Sequence, residues 1–348
     1  MKRLIFMLWM VALVLCSSCS KTSVPASEKG AGFQRYVSEF PSPVTSLEIE
    51  NITHSVKKVY SVSSYITYQF KREARITGYH LRSGIYQNAA WGVITTNETV
   101  FGTATVIAFS NSRVALLTCA HVVTSPDTLI SFFEPTDEDP VQYIRSFAIR
   151  NKQENWVKEL SSCGSFTVLA TDIGNDIAFL GKNCESLTDT VIPLAYPSGH
   201  ARELGWGSLA WIFGYPMGNQ VITRGIVSLT AKRPLGEFSV DALLNKGYSG
   251  GAILALTRGA AGFELVGMVK TVASTHEEFL TPAKDQPHSP DWMPYHGDLF
   301  IGNSDRIQYG LNAVVPAESI YNFYEKHRAE LIKNGYNLDH FFHPGKPK

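Results

Sequence analysis

Short runs of β-branched and aromatic residues, each closed by turn-forming residues, recur through most of this 348-residue chain. Glycine, proline, asparagine, aspartate or serine bounds most of these runs, which is the pattern of strands separated by turns. The runs cover residues 60–70, 100–109, 114–118, 166–170, 177–180 and 209–213. Many short strands favour antiparallel packing over alternating β–α units. The sequence therefore predicts an all-β fold of sandwich or barrel type.

Helical periodicity is clear only near the C-terminus. Apolar residues recur there at spacings of three and four between Ser319 and Ile332. Asn334 and Gly335 follow as a stop signal. We therefore expect one C-terminal helix over residues 317–334.

The N-terminus has the layout of a secretory signal. Lys2 and Arg3 precede an apolar stretch over residues 4–15, and small polar residues then lead to Cys19. An apolar core of about a dozen residues is shorter than the roughly 20 that a transmembrane helix needs. We therefore interpret the segment as an export signal rather than a membrane span.

Small residues before a cysteine resemble the cleavage site of bacterial lipoproteins, in which the cysteine becomes the lipidated first residue. On this resemblance residues 1–18 are the signal, and residues 19–57 are a lipidated tether and N-terminal extension. Cys19 then anchors the exported chain to a membrane of the cell envelope. Ordinary secretion, with cleavage near Ser18, is the alternative.

Charge and cysteine content narrow the function classes. The 31 lysines and arginines equal the 31 aspartates and glutamates, so no global field attracts nucleic acid, and we exclude nucleic-acid binding as the main function. Beyond the signal and its anchor three cysteines remain, and their spacing is not that of a structural zinc site. We expect no metal and no other cofactor.

Three short segments place residues of acid–base and nucleophilic chemistry in a fixed order. His121 follows an apolar strand, Asp176 precedes an apolar run, and Ser249 lies between glycines. Taken alone, the histidine can be a packed core residue and the aspartate a turn residue. The glycine-rich segment alone can be a simple turn.

The serine segment is the most specific of the three. A nucleophilic serine must expose its hydroxyl while nearby backbone N–H groups converge on a developing oxyanion, and side chains obstruct that approach. Glycines on both sides of Ser249, in the segment 247–251, remove the obstruction. This segment is therefore a candidate nucleophile site.

Together the three segments resemble the trypsin-like, chymotrypsin-fold serine peptidases, and most closely the bacterial HtrA/Deg branch. Residues 118–121, 176–178 and 247–251 match the histidine, acid and nucleophile motifs. Residues 214–218 and 223–228 look similar to that branch's entry into its second barrel. Residues 266–269 and 310–316 look similar to its closing strands. The resemblance spans residues 95–320 and includes no PDZ domain.

This resemblance implies two antiparallel Greek-key β-barrels with a C-terminal α-helix in a protease domain over residues 58–348. Barrel one would cover residues 58–190 and barrel two residues 191–316. It further implies a serine endopeptidase that hydrolyses polypeptide substrates through an acyl-enzyme intermediate. In that mechanism His121 is the general base and acid, Asp176 orients its imidazole, and Ser249 is the nucleophile. The backbone N–H groups of Gly247 and Ser249 would form the oxyanion hole.

Two positions depart from the family pattern. Many digestive members have aspartate before the serine, which pairs with a new N-terminus after zymogen cleavage; here the residue is Tyr248. We therefore exclude activation by that charge pair. Cys119 replaces the small residue usual before Ala-His, and we interpret it as a buried small hydrophobic residue, not a second nucleophile.

The specificity pocket is assigned by position. Leu243 stands six residues before the serine, where trypsin-like enzymes have the pocket floor, so basic substrate side chains find no counter-charge. Met268, Val269 and Asn312 are the other pocket residues on this comparison. We expect a medium-sized apolar residue before the cleaved bond.

A disulfide is a further expectation. If a hairpin turn is centred between Ile173 and Gly174, residues 166–170 pair with 177–181, and Cys163 then lies opposite Cys184. Opposed antiparallel residues lie about 4.5–5.5 Å apart at Cα, a separation that a disulfide bridges. We predict a Cys163–Cys184 bond in an oxidising compartment.

Residues 276–305 contain several potential metal ligands, namely Asp285, His288, Asp291, His296 and Asp298. Their spacing matches no known ligand motif, so a solvated insertion between two barrel strands is the preferred interpretation.

Two other functions remain open from the sequence. The string Gly247-x-Ser249-x-Gly251 also fits the nucleophile elbow of α/β-hydrolases, with Asp285 or Asp291 and His296 as partners, which would make the chain a serine esterase. That elbow needs a helix starting at the serine, whereas residues 252–256 favour a strand. The other alternative is a non-catalytic lipoprotein that uses a protease-like fold for binding.

Overall fold

The computed structural model describes residues 45–135, 139–185, 191–231, 238–257, 262–282 and 299–344. The signal, Cys19 and most of the tether lie outside these ranges. Within them, no helix combines the length and the apolar composition that crossing a bilayer requires. The potential metal ligands from Asp285 to Asp298 also lie outside the described residues.

Seven antiparallel strands form the first sheet, in the order β4-β5-β1-β2-β3-β7-β6. The strands are β1 (Val56–Gln69), β2 (Gly92–Ser110), β3 (Arg113–Thr118), β4 (Thr128–Phe132), β5 (Ile144–Val157), β6 (Thr167–Asp172) and β7 (Ile177–Asn183). The sheet curls on itself, and a single bridge between Asn155 and Phe166 brings the start of β6 back to β5.

Six antiparallel strands form a closed barrel, in the order β10-β13-β12-β11-β8-β9. They are β8 (Leu209–Gly214), β9 (Val221–Leu229), β10 (Phe238–Val240), β11 (Ala252–Leu256), β12 (Phe263–Pro282) and β13 (Leu299–Pro316). The ends of β12 and β13 pair beyond the barrel as a long hairpin that includes the start and the end of the expected insertion.

Helices are few and mostly short. They are α1 (Thr45–Thr53), α2 (Gly78–Arg82), α3 (Tyr86–Ala89), α4 (Ala120–Val123), α5 (Ala317–Lys333) and α6 (Asp339–Phe342), with 3₁₀ turns at Arg72–Ala74, Lys158–Cys163, Ala201–Glu203 and Pro216–Gly218.

The predicted all-β, two-barrel architecture is confirmed, with one difference in the first half. There the sheet is a curled half-barrel rather than a fully paired barrel, because within the described ranges the end strands β4 and β6 are not paired, and one bridge joins Asn155 of β5 to Phe166, just before β6. The closed barrel has its own apolar core around Phe238, Tyr248 and Ile253.

The β6–β7 hairpin differs from the expected register. Asp172 pairs with Ile177 and Thr167 with Gly181, so the turn is centred between Gly174 and Asn175 and not between Ile173 and Gly174, and a bulge lies between Val168 and Ala170. Cys163 ends a 3₁₀ turn instead of lying on the ladder. It nevertheless forms a disulfide with Cys184, with the two Cα atoms 4.9 Å apart.

The C-terminal helix α5 supports the first sheet. It runs to Lys333, and Gly335 adopts a left-handed φ of 86°, as a helix-terminating glycine should. Phe323 packs against Phe179 of β7 with ring centroids 5.0 Å apart. The helix thereby holds the strand that begins directly after Asp176.

An ion pair between Arg328 and Asp339 joins α5 to α6. Its effect on the Asp339 carboxyl predicts that part of the protein's stability is lost in acid. Arg328 donates two hydrogen bonds to Asp339, at 2.7 and 2.6 Å, and these bonds lower the pKa of that carboxyl. A lowered folded-state pKa gives stability that is present above the ordinary aspartate pKa of about 3.9 and is lost as the pH falls through the folded value.

We therefore expect Asp339→Asn to lower the melting temperature at pH 7 by roughly 2–4 °C. The difference from wild type should shrink as the pH falls from 7 to 2, because the unfolded chain then binds a proton at this carboxyl while the folded protein resists protonation less and less. Thermal denaturation followed by circular dichroism at pH 7 and pH 2 measures this. Glu330→Gln, on the exposed face of the same helix, is the control and should change neither melting temperature.

Candidate active site

Strand pairing brings His121 and Asp176 to the same end of the first sheet. β3 ends at Thr118, and His121 lies in the short helix α4 that follows. Asp176 immediately precedes β7, and Thr118 pairs with Ala178. Adjacent antiparallel strands therefore place the residues after one strand beside the residues before the other.

The Asp176 carboxylate holds His121 at two points. The His121 ring Nδ1 lies 2.7 Å from Oδ2, and the His121 backbone N–H donates to Oδ1 at 2.9 Å. A carboxylate only accepts hydrogen bonds, so Nδ1 carries the proton and Nε2 of the neutral ring keeps its lone pair. The Asp176 side chain is 9% exposed and that of His121 is 47% exposed. The pair thus has a buried acid and a reachable imidazole, as a general base requires.

Asp172 shapes the turn that presents Asp176. Its Oδ1 accepts the Asn175 backbone N–H at 3.0 Å, and its Oδ2 accepts the Asn175 side-chain amide at 2.8 Å. The backbone hydrogen bond from Asn175 lowers the pKa of Asp172. Asp176 itself has a φ of 60°, a left-handed conformation that non-glycine residues adopt at a cost. The Asp172–Asn175 lock holds the turn in this strained shape.

Thr103 of β2 ties the Ser249 segment to the first sheet. Ser249 lies between β10 and β11, and its carbonyl accepts the Thr103 N–H at 2.8 Å. The buried Thr103 hydroxyl donates to the Gly247 carbonyl at 2.8 Å and accepts the Tyr215 N–H at 2.9 Å. The Thr103 carbonyl accepts the Thr118 hydroxyl at 2.7 Å. Thr103 of the first sheet therefore bonds to Gly247 and to Ser249, the residues before and after Tyr248.

The histidine and serine segments meet at the Val269 carbonyl. This oxygen accepts the Gly250 N–H at 2.9 Å and the Cys119 thiol at 3.2 Å. Gly250 directly follows Ser249, and Cys119 stands two residues before His121. The His121 and Ser249 segments thus share one hydrogen-bond acceptor, and Asp176 is connected to it through its bonds to His121.

Hydrogen bonds of the preceding carbonyls orient the two amides that the sequence analysis assigned to an oxyanion hole, those of Gly247 and Ser249. The Lys246 carbonyl accepts the Met217 N–H at 3.1 Å, and the Tyr248 carbonyl accepts the Gly251 N–H at 2.7 Å. In a trans peptide the N–H points opposite to its carbonyl, so these bonds fix the N–H directions of Gly247 and Ser249. Over the described part of the chain, neither of these two N–H groups has a backbone acceptor.

Close packing requires glycine at two positions of the serine segment, in addition to the access to Ser249 that glycines provide. Gly247 has a φ of 106°, and a Cβ there would lie 2.4 Å from the Tyr215 carbonyl oxygen. Gly250 has a φ of 86°, and its Cβ would lie 2.0 Å from the Thr103 carbonyl oxygen. Both clashes are with backbone that cannot move aside. The glycines therefore let the segment fit between the two halves of the protein.

Cys119 is held as a thiol. It is fully buried, and burial, followed by the neighbouring Asp176 carboxylate, raises its pKa well above the ordinary value. One potential ligand atom from each of Cys119, His121 and Asp176 lies within 4.8 Å of the others. Because metals bind the thiolate and the Asp176 carboxylate already binds His121, we interpret this cluster as a hydrogen-bonded network.

The residues assigned to the specificity pocket have different surroundings. Leu243 is 69% exposed, whereas Met268 and Val269 are fully buried. The Asn312 amide donates to the Val240 and Ala242 carbonyls at 3.1 and 2.7 Å, which pins the segment before Leu243. The side chains of residues 271–279 and 299–311 lie outside the described part of the structure. The apolar preference therefore stays a prediction.

Thr103 could not be predicted from the sequence. A threonine in a strand is an ordinary β-former, and no local pattern marks its hydroxyl as bonded to residues more than a hundred positions away. Only the packing of the two halves reveals its contacts.

We expect Thr103→Val to lower kcat by roughly tenfold to a hundredfold, less than the 10²–10³ lost with an oxyanion donor itself. Valine keeps the shape of threonine but leaves the Gly247 carbonyl and the Tyr215 N–H without their partner. Because the hydroxyl binds no substrate, KM should change little. Steady-state kinetics on a peptide substrate measures both constants. Thr103→Ser keeps the hydroxyl and should restore most of kcat, whereas an equal loss in both variants would contradict a role for the hydroxyl.

Comparison with known proteins supplies one match. Residues 102–268, just under half of the chain, match the family model described as the trypsin-like peptidase domain. This range contains His121, Asp176 and Ser249. No curated protein matches the chain.

Proposed function

We propose that this chain is a trypsin-like serine endopeptidase in which Ser249, His121 and Asp176 form the catalytic triad. The proposal rests on one observation: the Asp176 carboxylate binds the His121 imidazole, and this histidine segment is joined to the serine segment at the Val269 carbonyl. That carbonyl accepts hydrogen bonds from Cys119, two residues before His121, and from Gly250, directly after Ser249. The two-barrel fold and the match to the peptidase domain support it.

The first chemical step is acylation. The Ser249 Oγ attacks the peptide carbonyl carbon as its proton passes to His121 Nε2, and a C–O bond forms. The N–H groups of Gly247 and Ser249 stabilise the resulting oxyanion. When the tetrahedral intermediate collapses, the C–N bond breaks and His121 returns the proton to the leaving amine.

Deacylation repeats the sequence with water as the nucleophile. His121 takes a proton from water, the hydroxyl adds to the acyl carbon, and the Ser249 oxygen leaves with the proton that His121 returns. Throughout, Asp176 keeps the proton on Nδ1 and stabilises the imidazolium. No step needs a metal or a cofactor.

The α/β-hydrolase alternative is inconsistent with the fold. The segment after Ser249 continues into the antiparallel strand β11 instead of a helix, and the surrounding sheet is a closed antiparallel barrel. A serine esterase with an elbow would need a helix at that point.

Labelling with a fluorophosphonate tests the proposal against a non-catalytic binding protein. Wild type should react at one serine, identified by mass spectrometry as Ser249, and Ser249→Ala should not react. Ser131→Ala, a change at an exposed serine of β4, is the matched control and should label like wild type. Absence of labelling in wild type would favour a binding protein.

Within the family, we place the chain nearest to the HtrA/Deg branch. Support comes from the sequence motifs at residues 214–218 and 310–316. In the fold, the second of these motifs lies at the end of β13, which pairs with β12 beside the Val269 carbonyl.

We further propose that a lipid on Cys19 holds the mature protein at a membrane of the cell envelope. The support is the arrangement of basic, apolar and small residues before Cys19. Metabolic labelling with palmitate in a bacterial host should mark wild type and Cys16→Ala but not Cys19→Ala. Equal labelling of the two variants would place the lipid elsewhere.

A further inference from the structure

The Cys119 thiol joins the segment that carries His121 to the closed barrel. Its Sγ donates to the Val269 carbonyl at 3.2 Å, and the Lys270 carbonyl of the same strand, β12, lies 3.8 Å away. Among the residues that the structure describes, no other hydrogen bond connects residues 118–124 with that barrel. The histidine segment is therefore linked to the closed barrel through one side chain.

The same carbonyl oxygen binds the serine segment. The Val269 carbonyl accepts the Gly250 N–H at 2.9 Å, and Gly250 directly follows Ser249. A shift of the Cys119 sulfur relative to this oxygen would therefore move the histidine segment relative to the serine segment. Catalysis is sensitive to such shifts, because a displacement of about 1 Å can lower a rate by roughly a hundredfold.

The Cys119 sulfur also fills the space beside the acid. One carboxylate oxygen of Asp176 and one ring nitrogen of His121 lie within 4.8 Å of Sγ. Cys119 has no exposed surface, and the Asp176 side chain is 9% exposed. Because both side chains are buried, the position of the carboxylate depends on the atoms that pack against it, and the sulfur is one of them.

The thiol stays a hydrogen-bond donor throughout the neutral pH range. Burial, followed by the Asp176 carboxylate, raises the pKa of Cys119 well above its ordinary value, whereas the Lys270 ammonium acts in the opposite direction and is the weaker influence. Within the described ranges, these two groups and the His121 imidazole are the ionisable groups beside the sulfur. A thiolate could not donate to the Val269 carbonyl, so the raised pKa preserves the link at the pH where an imidazole acts as a base.

We infer that Cys119 is a positioning residue, whose hydrogen bond to the Val269 carbonyl sets the position of His121 relative to Ser249. The inference rests on the proposed peptidase function. Cys119 is fully buried and cannot touch a substrate, so it acts on the rate only through His121 and Asp176. This role goes beyond that of a small hydrophobic residue that fills a core, because it depends on the thiol hydrogen.

Two substitutions separate the hydrogen bond from the volume of the sulfur. Serine and alanine are both smaller than cysteine at this position, but only serine keeps a donor. We expect Cys119→Ala to lower kcat by about tenfold, the effect of one lost hydrogen bond, with KM nearly unchanged. Cys119→Ser should recover most of that loss. Steady-state kinetics of the full-length protein on a peptide substrate measures both constants. Equal losses in the two variants, or no loss in either, would overturn the inference.

Val114→Ala is the matched control for the loss of core packing. Val114 lies near the start of β3, the strand that leads to Cys119, and its side chain is fully buried. The substitution should lower the melting temperature at least as much as Cys119→Ala does, but it should leave kcat unchanged because it removes no hydrogen bond of the site. If kcat falls as far as in Cys119→Ala, loosening of the core explains both effects and the inference is wrong.

Proton NMR of the same proteins gives a readout that does not depend on turnover. The His121 Nδ1–H, bound to the Asp176 carboxylate, should give a resonance far downfield of the backbone amides, as a strong charge-assisted hydrogen bond does. We expect this resonance to be sharp in wild type and in Cys119→Ser. In Cys119→Ala it should broaden through faster exchange with water, because the pair is held less firmly. A sharp resonance in all three proteins would contradict a positioning role.

Fluorophosphonate labelling distinguishes a failure of this inference from a failure of the peptidase proposal. If wild type does not react, the peptidase proposal is refuted, while NMR still reports whether Cys119 holds the His121–Asp176 pair. If wild type, Cys119→Ala and Cys119→Ser all react at Ser249 at the same rate, the peptidase proposal stands and the positioning role is refuted.

Discussion

Replacing Ser249 by alanine should lower the turnover of a cleavable peptide by roughly 10⁶-fold, because triad members act as a unit and nothing else in the segment can form the acyl-enzyme. Ser249 lies in a segment whose backbone carbonyls and amides form hydrogen bonds with both halves of the protein. Alanine fits there without disturbing these bonds, so the fold and peptide binding should remain. Steady-state hydrolysis, with circular dichroism as the folding check, measures the change.

His121→Ala should lose as much as Ser249→Ala, and the double variant should lose little more. That non-additivity distinguishes a triad from two independent contributions. If the Ser249→Ala protein retains more than about a thousandth of wild-type turnover, Ser249 is not the nucleophile.

Asp176→Asn should lower kcat by about 10⁴ at neutral pH. The amide can occupy the position of the carboxylate, but it can donate to Nδ1 and so favour the ring tautomer that carries the proton on Nε2. That tautomer cannot accept the serine proton. Because the side chain is buried against His121 and binds no substrate, KM should be nearly unchanged.

Asp172→Asn is the matched control, since it changes an acid only four residues earlier in the same turn. It should reduce kcat far less, because Asp172 acts through the shape of the turn and not on the ring. Equal losses at the two positions would contradict the assignment of Asp176 as the orienting acid.

Much of the fold could be predicted because strands and turns have local signals. The runs at residues 114–118, 177–180 and 209–213 lie in β3, β7 and β8, and the helix over residues 317–334 ends at Lys333 as the glycine signal indicates. The register of the β6–β7 hairpin could not be predicted. The position of its turn depends on the hydrogen bonds of Asp172, and one bulge shifts every following pair.

At the candidate site, the sequence indicated residues whose chemistry depends on their own type and neighbours. His121 and Asp176 each adjoin an apolar strand, and the structure joins them by a hydrogen bond. Thr103, Met217 and Val269 act through backbone groups or a single hydroxyl, so their residue types give no hint of the contact. The glycines of the segment also serve close backbone packing, in addition to the access argued from sequence.

In the proposed mechanism the first sheet carries the base and the acid and the second barrel carries the nucleophile, and the bonds from Thr103 to Gly247 and Ser249 join the two. A ribosome completes the first half well before the second. If the proposed triad is correct, an unfinished chain has no assembled catalytic centre and should not cleave itself or its neighbours. Because the proposed triad draws residues from both halves, a treatment that separates them should abolish cleavage.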